Sequence, residues 1–468
     1  MTATCTAKFR SLLRGRSIVV AGAMLTALQM SVGAAQAQGL PLIRDAEIEA
    51  LLQDYAQPVF RAAGIGGGRV TVRIVNNDAF NAFVVDGANV FVHTGTLMQA
   101  NTPNEVIGVI AHESGHIAGG HMAALRARIA KDQTRALLTQ VLGIGAMVAG
   151  GVAGGSSGQE TMQGGQAIMQ GGTNIIMKGL LAERRSQESA ADQAGLKYLT
   201  ATKQSGQGML ATFERFKQQE YLSEGLQDPF IRSHPLSTDR LARLSELVRS
   251  SPYANQKDPP SLQLRHDLMR AKLSGYLESP STVANRYPPS DTSLPARYAR
   301  AIALFFRGGG GALEASVRDI NVMIRENPEY PYFYELKADL LMRSGRKKEA
   351  IPDLRQALAL APGSPLIQVE LASALQDGNN AAGLKESVDL LRKALVTDQN
   401  GRAYRLLANA YYKQGKGPEA DAMTAQAYFY EGDVKQAQNF AKRAQAQLRS
   451  GSPEWLKNDD IINYKPQT

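Results

Sequence analysis

Three of the six histidines in this 468-residue chain fall within ten positions, at 112, 116 and 121, and Glu113 follows the first of them. On a helix, His112 and His116 lie four residues apart on one face, where one metal ion can accept both imidazoles. Glu113 is then placed to take a proton from a water that the metal activates. His-Glu-x-x-His on a helix is typical of zinc metalloproteases. The alternative is a pair of helix histidines satisfied by neighbouring carbonyls.

The residues before this motif predict the helix that it needs. Thr102, Pro103 and Glu105 supply an N-cap, a proline at the first helical position and a glutamate at the third. Apolar residues then recur through Ile117, so the motif is expected on a helix.

Catalytic zinc needs a third protein ligand and keeps a fourth position open. One class of zinc proteases places a histidine six residues after the second ligand. His121 comes one residue earlier than that position and would lie about 140° round a continuous helix from His116. We therefore expect His121 to be a bystander.

A carboxylate from a second helix is the other common third ligand. Residues 180–199 contain Glu188 and Asp192 four positions apart, with small residues that allow close helix approach. Glu188 would complete a His₂Glu site, and Glu183 is the competing ligand. Asp192 could hydrogen-bond a ligand histidine or help to protonate the leaving amine.

Another histidine stands in Ser233-His234-Pro235, where the proline favours an extended loop conformation. His234 could stabilise the tetrahedral intermediate, or it could occupy the open metal position and hold the enzyme idle. A loop histidine bonded to backbone is the structural alternative. His93 and His266 are expected to be structural or exposed.

The N-terminus has the layout of a secretory signal peptide over residues 1–37. Four basic residues precede an apolar run from Ile18 to Val32, and Ala35-Gln36-Ala37 offers a cleavage site. The run is short for a membrane span, although an uncleaved anchor is the alternative. Without this segment the net charge falls from +9 to +5 and the only cysteine, Cys5, is lost. Nucleic acid is therefore an unpromising partner, thiolate chemistry is excluded, and export to a bacterial periplasm is expected.

Between the two metal-binding helices, residues 142–179 are rich in glycine, methionine and small apolar residues. Glycine at this density disfavours a stable helix in water. The segment is interpreted as a flexible flap over the cleft that can make peripheral contact with a membrane or with an unfolded client. A loop without a role is the alternative.

The sequence around the motif predicts strands that could form a substrate cleft. Residues 70–75 alternate in polarity, and residues 83–94 read as two strands around a turn. An edge strand beside the metal-binding helix could hold an extended substrate by backbone pairing.

From residue 296 the chain contains a repeat of tetratricopeptide type. Pro328 and Pro362 are 34 residues apart, as are Ala338 and Ala372. The predicted organisation is a protease domain at 38–250, a linker and connector helix at 251–295, a repeat domain at 296–450 and a tail at 451–468. Stacked helix pairs make a concave surface for peptides or partner proteins.

These motifs together resemble the gluzincin peptidases, which include the CAAX prenyl proteases and HtpX-like proteases, and more closely the periplasmic beta-barrel assembly-enhancing proteases. The resemblance covers most of residues 38–250. It rests on the residues just discussed and on four further sites: Asn81-Ala82-Phe83, Val90-Phe91-Val92, Asn104-Glu105 and Arg240. It implies that His112, His116 and Glu188 bind one Zn²⁺, that Glu113 is the base and that Asp192 donates a proton. Ser114 departs from the family, which usually has a bulkier residue there.

The predicted fold is therefore an α+β zincin-type metalloprotease domain followed by an all-α tetratricopeptide-repeat solenoid. By resemblance, the protein is a periplasmic zinc endopeptidase in outer-membrane protein quality control. Its expected partners are unfolded or misassembled outer-membrane proteins and, through the repeats, the barrel-assembly machinery. A repeat-domain chaperone or scaffold with latent proteolysis, and a metal-binding envelope protein without peptidase activity, are the alternatives.

Overall fold

A computed structural model of the chain describes residues 40–465 except 69, 86–87, 154, 218–228 and 379. The predicted signal peptide at 1–37, with Cys5, lies outside the described residues. None of the helices in the described part combines the length and the apolar composition needed to cross a bilayer.

The N-terminal part is a small mixed sheet covered by helices. Its strands are β1 (Leu42–Ile43), β2 (Thr71–Val75), β3 (Ala82–Val84) and β4 (Asn89–His93), in the spatial order β1-β2-β4-β3. β2 and β4 are parallel, and β1 and β3 pair antiparallel at the two edges. The strands expected at 70–75 and 83–94 are thus present, and β3 is an edge strand as the cleft requires.

Helices pack around this sheet and form one apolar core with it. They are α1 (Ala46–Ala62), α2 (Thr94–Gln99), α3 (Pro103–Ala118), α4 (His121–Ala153), α5 (Gly155–Ala201), α6 (Gln207–Arg215), α7 (Pro229–Ser233), α8 (Thr238–Ser250) and α9 (Pro260–Leu277). α9 is the connector helix expected within 251–295. It contributes Met269 and Leu273 to this core and Leu268 to the core of the repeats.

The expectation that residues 142–179 avoid helix is wrong. α4 and α5 run through this segment on either side of residue 154 and pack against each other. Glycine costs a helix about 1 kcal/mol relative to alanine, but most helix stability in proteins comes from tertiary packing. The pairing of two long helices supplies that packing here.

The C-terminal part is a solenoid of antiparallel helix pairs. Its helices are α10 (Pro280–Arg286), α11 (Leu294–Arg307), α12 (Ala312–Glu326), α13 (Pro331–Arg343), α14 (Lys347–Leu360), α15 (Pro365–Asp377), α16 (Ala381–Thr397), α17 (Gly401–Lys413), α18 (Gly417–Tyr430), α19 (Val434–Gln445) and α20 (Pro453–Asn463). The repeat alanines at 338 and 372 are fully buried where consecutive helices meet. The predicted repeat solenoid is confirmed.

The solenoid is joined to the peptidase part by a buried charge cluster. Lys272 of α9 lies 2.8 Å from Asp45 Oδ2, 3.3 Å from Glu47 Oε2 and 3.0 Å from Glu335 Oε2 of α13. Tyr298 donates a hydrogen bond to Glu47 Oε2 at 2.8 Å. Burial alone would lower the pKa of Lys272, but the surrounding carboxylates hold it well above its usual value. The ammonium therefore stays charged and links both parts of the chain.

Candidate metal centre

The first two candidate ligands are fixed by α3. Thr102 Oγ1 accepts a hydrogen bond from Glu105 N at 3.3 Å, so the expected N-cap is in place. From this start the helix buries His112, Glu113 and His116. The two histidine Nε2 atoms come within 3.1 Å of each other and point at one spot.

The third candidate ligand arrives on α5 because α3 and α5 approach closely. A Cβ on Gly115 would lie 2.7 Å from Ala191 O, and one on Gly195 would lie 3.1 Å from Ala111 O. This approach places Glu188 Oε2 at 3.4 Å from His112 Nε2 and Oε1 at 3.4 Å from His116 Nε2. Glu188 therefore faces both histidines at once.

His234 joins the same cluster. Its Nδ1 lies 3.1 Å from His112 Nε2 and 3.2 Å from Glu188 Oε2. Ligand atoms of His112, His116, Glu188 and His234 all fall within 4.8 Å of one another, and all four residues are buried. Two of the expected site residues on α3, one on α5 and one after α7 thus meet at one point. Glu183, the competing ligand, instead pairs with Arg128 at 2.9 Å.

Hydrogen bonds on the far side of the rings leave lone pairs directed at this point. His112 Nδ1 donates to Asp192 Oδ1 at 3.0 Å, which leaves Nε2 unprotonated in the neutral ring. His234 Nε2 donates to Ala82 O at 3.2 Å, which leaves Nδ1 free to ligate. Imidazole and carboxylate donors in this number suit Zn²⁺.

Glu113 supplies a further test of the fit. Its Oε1 is buried and has no hydrogen-bond partner of acceptable geometry among the described residues, although His234 Nε2 lies 3.3 Å away. A buried carboxylate oxygen without a partner is costly unless a ligand or water uses it. Its place beside the ligand cluster suits a base that receives a proton there.

Asp192 belongs to an outer layer of the site. Besides His112 it binds Arg240, whose Nη2 donates to Asp192 Oδ1 at 2.8 Å and whose Nε contacts Oδ2. Arg240 Nη1 also lies 3.1 Å from Glu188 Oε2. A bidentate arginine holds a carboxylate in one orientation, so Asp192 and Glu188 are positioned together. Residue chemistry alone did not identify Arg240, which entered only through the resemblance.

His121 is not among the candidate metal ligands, as expected, although it contacts one of them. Its Nδ1 lies 3.0 Å from Nδ1 of His116. α3 ends at Ala118 with Gly119 as its C-cap, and Gly120 adopts a φ of +63°, so His121 starts a new helix and turns back toward the ligand. The angle of 140° assumed a continuous helix. The glycine pair was the signal that the helix would break.

The electrostatics of the site are those of closely packed opposite charges. Burial would lower the pKa of His112, but hydrogen bonds to Asp192 and Glu188 raise it to about 9, so its Nε2 becomes a metal ligand only when the ring gives up a proton. Burial, reinforced by the charge of His112, lowers the pKa of His116 to about 2. Burial would raise the pKa of Glu188, but His234 and His112 hold it well below its usual value. Glu188 is thus an anion able to bind a cation.

The pKa of Glu113 shifts in the opposite direction to that of Glu188. Burial raises its pKa above the ordinary glutamate value, and the neighbouring histidines only partly oppose that shift. A carboxylate with a raised pKa is a stronger proton acceptor, as general base catalysis requires near neutral pH.

A cavity of about 140 Å³ opens from this cluster toward the edge strand. Its lining includes Phe83, Val84, Glu113, His116 and His234. Because β3 forms the edge of the sheet beside the cavity, an extended chain could pair with its backbone and cross the ligand cluster. The two other histidines are structural. His93 is buried near Ala79 O, and His266 lies between Tyr55 and Ala100.

Comparison with known proteins agrees with this geometry. Residues 42–248 match the model of peptidase family M48. The chain is 25% identical over 412 residues to the beta-barrel assembly-enhancing protease of Escherichia coli strain K12, covering 84% of this chain and 78% of that protein. The Yersinia pestis protein of the same name is 25% identical over 401 residues, covering 83% and 77%. Metalloprotease LoiP of Escherichia coli strain K12 is 27% identical over 198 residues, covering 41% of this chain and 70% of that protein.

Proposed function

We propose that this chain, a metalloprotease with an M48 peptidase domain over residues 42–248, is a zinc-dependent endopeptidase of the bacterial periplasm. The observation that carries the proposal is the convergence of two imidazoles and Glu188 beside the unpartnered Oε1 of Glu113. The relatives named for beta-barrel assembly suggest its clients, which we take to be unfolded or misassembled outer-membrane proteins. The repeat solenoid would dock the barrel-assembly machinery.

In this proposal His112, His116 and Glu188 hold one zinc ion. When bound, zinc supplies Lewis acidity to the scissile carbonyl and to the attacking water. Glu113 accepts the proton of that water at Oε1 and returns it to the leaving nitrogen, so the residue ends each cycle ionised.

Asp192 is assigned a positioning role. Burial would raise its pKa, but hydrogen bonds from Arg240 and His112 hold it below the usual aspartate value. An anion whose two oxygens are already engaged by Arg240 has no proton to give. Of the two roles open to Asp192, we therefore favour orientation of His112 over protonation of the leaving amine.

The test compares substitutions on the same two helices. Wild type should bind one zinc ion and cleave casein. Glu113→Gln should retain zinc and lose at least about a hundredfold in kcat, the lower range for a lost general base. Glu188→Gln should lose zinc, whereas Glu183→Gln, five residues earlier on the same helix and paired with Arg128, should retain both properties. Normal zinc content and cleavage in Glu188→Gln would refute the ligand set.

A latent form of the same protease is the second candidate, and the position of His234 favours it. Its Nδ1 lies among the ligand atoms while Nε2 holds the edge-strand carbonyl of Ala82. An imidazole in the fourth zinc position would exclude the attacking water. His234→Ala should then raise casein cleavage at full zinc occupancy. A fall in kcat at full zinc occupancy would instead assign His234 to the transition state.

A further inference from the structure

The helical hairpin of α4 and α5 presents a row of apolar side chains to solvent. Leu137, Leu138, Val141, Leu142 and Ile144 are each more than half exposed, between 51% and 66%. Ile175, on α5, is exposed to 73%. Isolated exposed apolar residues are ordinary, but a contiguous row of large ones marks an interaction surface.

Helix geometry shows that the row lies opposite the partner helix. At about 100° per residue, positions 137, 138, 141, 142 and 144 fall within an arc of about 160°. Asp132, Ala136 and Thr139 lie outside that arc and are buried or half-buried. The packing of α4 on α5 therefore leaves the apolar arc uncovered.

Charge is distributed along the hairpin in two zones. Residues 136–177 contain one charged residue, Glu160. The stretches next to the peptidase part contain seven basic residues and two acidic ones: Arg126, Arg128, Lys131, Arg135, Lys178, Arg184, Arg185, Asp132 and Glu183. Both acids pair with Arg128. Lys131, Lys178 and Arg185 are exposed and form no ion pair within the described part of the chain.

We propose that this hairpin seats the protein on a bilayer that contains anionic phospholipid. The apolar zone would enter the boundary between headgroups and acyl chains, while Lys131, Lys178 and Arg185 meet the phosphates. A second copy of the hairpin fits less well when the two are aligned side by side, because the basic zones would face each other and repel. The charge pattern therefore selects the anionic lipid.

The same helix fixes the height of the active site above the membrane. Lys178 and Glu188 are ten positions apart on α5, which is about 15 Å along the axis. If Lys178 lies at the headgroup level, the ligand cluster stands about that far above it. The cleft would then meet chains that emerge at the membrane surface. This inference deepens the proposed envelope location and needs no peptidase activity.

Flotation with vesicles tests the proposal on the mature full-length chain. The protein should bind vesicles of phosphatidylglycerol and phosphatidylethanolamine, and binding should weaken as salt rises. The substitutions Leu138→Asn, Val141→Asn and Leu142→Asn together should abolish binding. Val396→Asn and Tyr412→Asn, which are even more exposed and lie on the solenoid, should leave it unchanged. All five sites are at the surface, so folding is retained.

A variant without the three basic side chains separates recognition of anionic lipid from non-specific hydrophobic adsorption. Lys131→Gln, Lys178→Gln and Arg185→Gln together should weaken binding to the anionic vesicles by about 100-fold, and binding to phosphatidylcholine should stay weak. Casein cleavage should persist in every hairpin variant, so a failed peptidase assay is distinguishable from failed lipid binding. The proposal would be overturned if the variant with Leu138→Asn, Val141→Asn and Leu142→Asn bound vesicles as well as the wild type does. Lipid-free self-association that this variant abolishes would also overturn it, since the occupant would then be a second copy.

Discussion

The close approach of α3 and α5 predicts that Gly115→Ala damages the metal site more than the fold. The new Cβ would lie 2.7 Å from Ala191 O and 2.9 Å from Ala191 Cα, where ordinary contact begins at 3.4 Å. The shortfall of about 0.7 Å must be taken up mainly by separation of the two helices, because both neighbours are backbone atoms.

Rough free energies show that Gly115→Ala should affect zinc affinity more than folding stability. Alanine favours the helix by about 1 kcal/mol over glycine, while overpacking costs about 1 to 3 kcal/mol, so the net loss of stability is at most about 2 kcal/mol and the chain stays folded. Metal sites tolerate ligand displacements of only about 0.2 Å. Because Glu188 precedes Ala191 by three residues on α5, it moves with the clash. We expect zinc affinity to fall at least about tenfold to a hundredfold, as it does when ligand positioning is lost.

Competition with a chromophoric chelator measures that affinity directly. Gly417→Ala is the matched control, because it is also a helical glycine and a Cβ there would meet nothing within 4 Å. Zinc affinity in Gly115→Ala within about twofold of wild type would refute the argument that helix spacing sets the ligand geometry.

Three further predictions test the surroundings of the site. His121→Ala should weaken zinc binding about tenfold or more through His116, with partial rescue in His121→Asn; unchanged affinity in both variants would show that His121 is a bystander. Burial lowers the pKa of His266 to about 4, so its neutral form stabilises the fold above pH 6.5, and roughly 3 kcal/mol should be lost as pH falls from 6.5 to 4. Denaturant unfolding of wild type and His266→Gln should show that loss only in wild type; parallel pH profiles would contradict it. Lys272→Met should cost about 3 to 5 kcal/mol because the buried Glu47 and Glu335 and the half-buried Asp45 lose their counter-charge. Lys347→Met, at a half-exposed pair with Asp377, should cost less than about 1 kcal/mol; equal unfolding midpoints would refute the role of the cluster.

Local signals in the sequence predicted the elements that carry the site. The N-cap at Thr102 and the proline after it define the start of α3. The spacing of His112 and His116 then places both histidines on one face of that helix. Glu188 could be chosen because a His₂ site needs a carboxylate and small residues flank it. These inferences depend on contacts within one helix or on the chemistry of one ligand set.

The sequence did not predict the features that depend on packing between residues far apart in the chain. The glycine-rich stretch is helical because α4 and α5 support each other, which single-helix propensity cannot reveal. His121 reaches His116 because Gly120 reverses the chain at positive φ. The cluster around Lys272 unites residues from positions 45, 47, 272 and 335, and no sequence pattern links positions so far apart.

The buried Lys272 cluster has a consequence for how such a protein can change over time. A repeat array attached by a flexible linker can be exchanged between enzymes as a cassette, because its interior is independent of its neighbour. Here Glu335 of the array and Asp45 and Glu47 of the peptidase part share one ammonium group. An exchanged array without an acid at that position would remove one of the anions that balance a buried cation. Recombination at the domain boundary would therefore be penalised, and the solenoid and the peptidase would be inherited together.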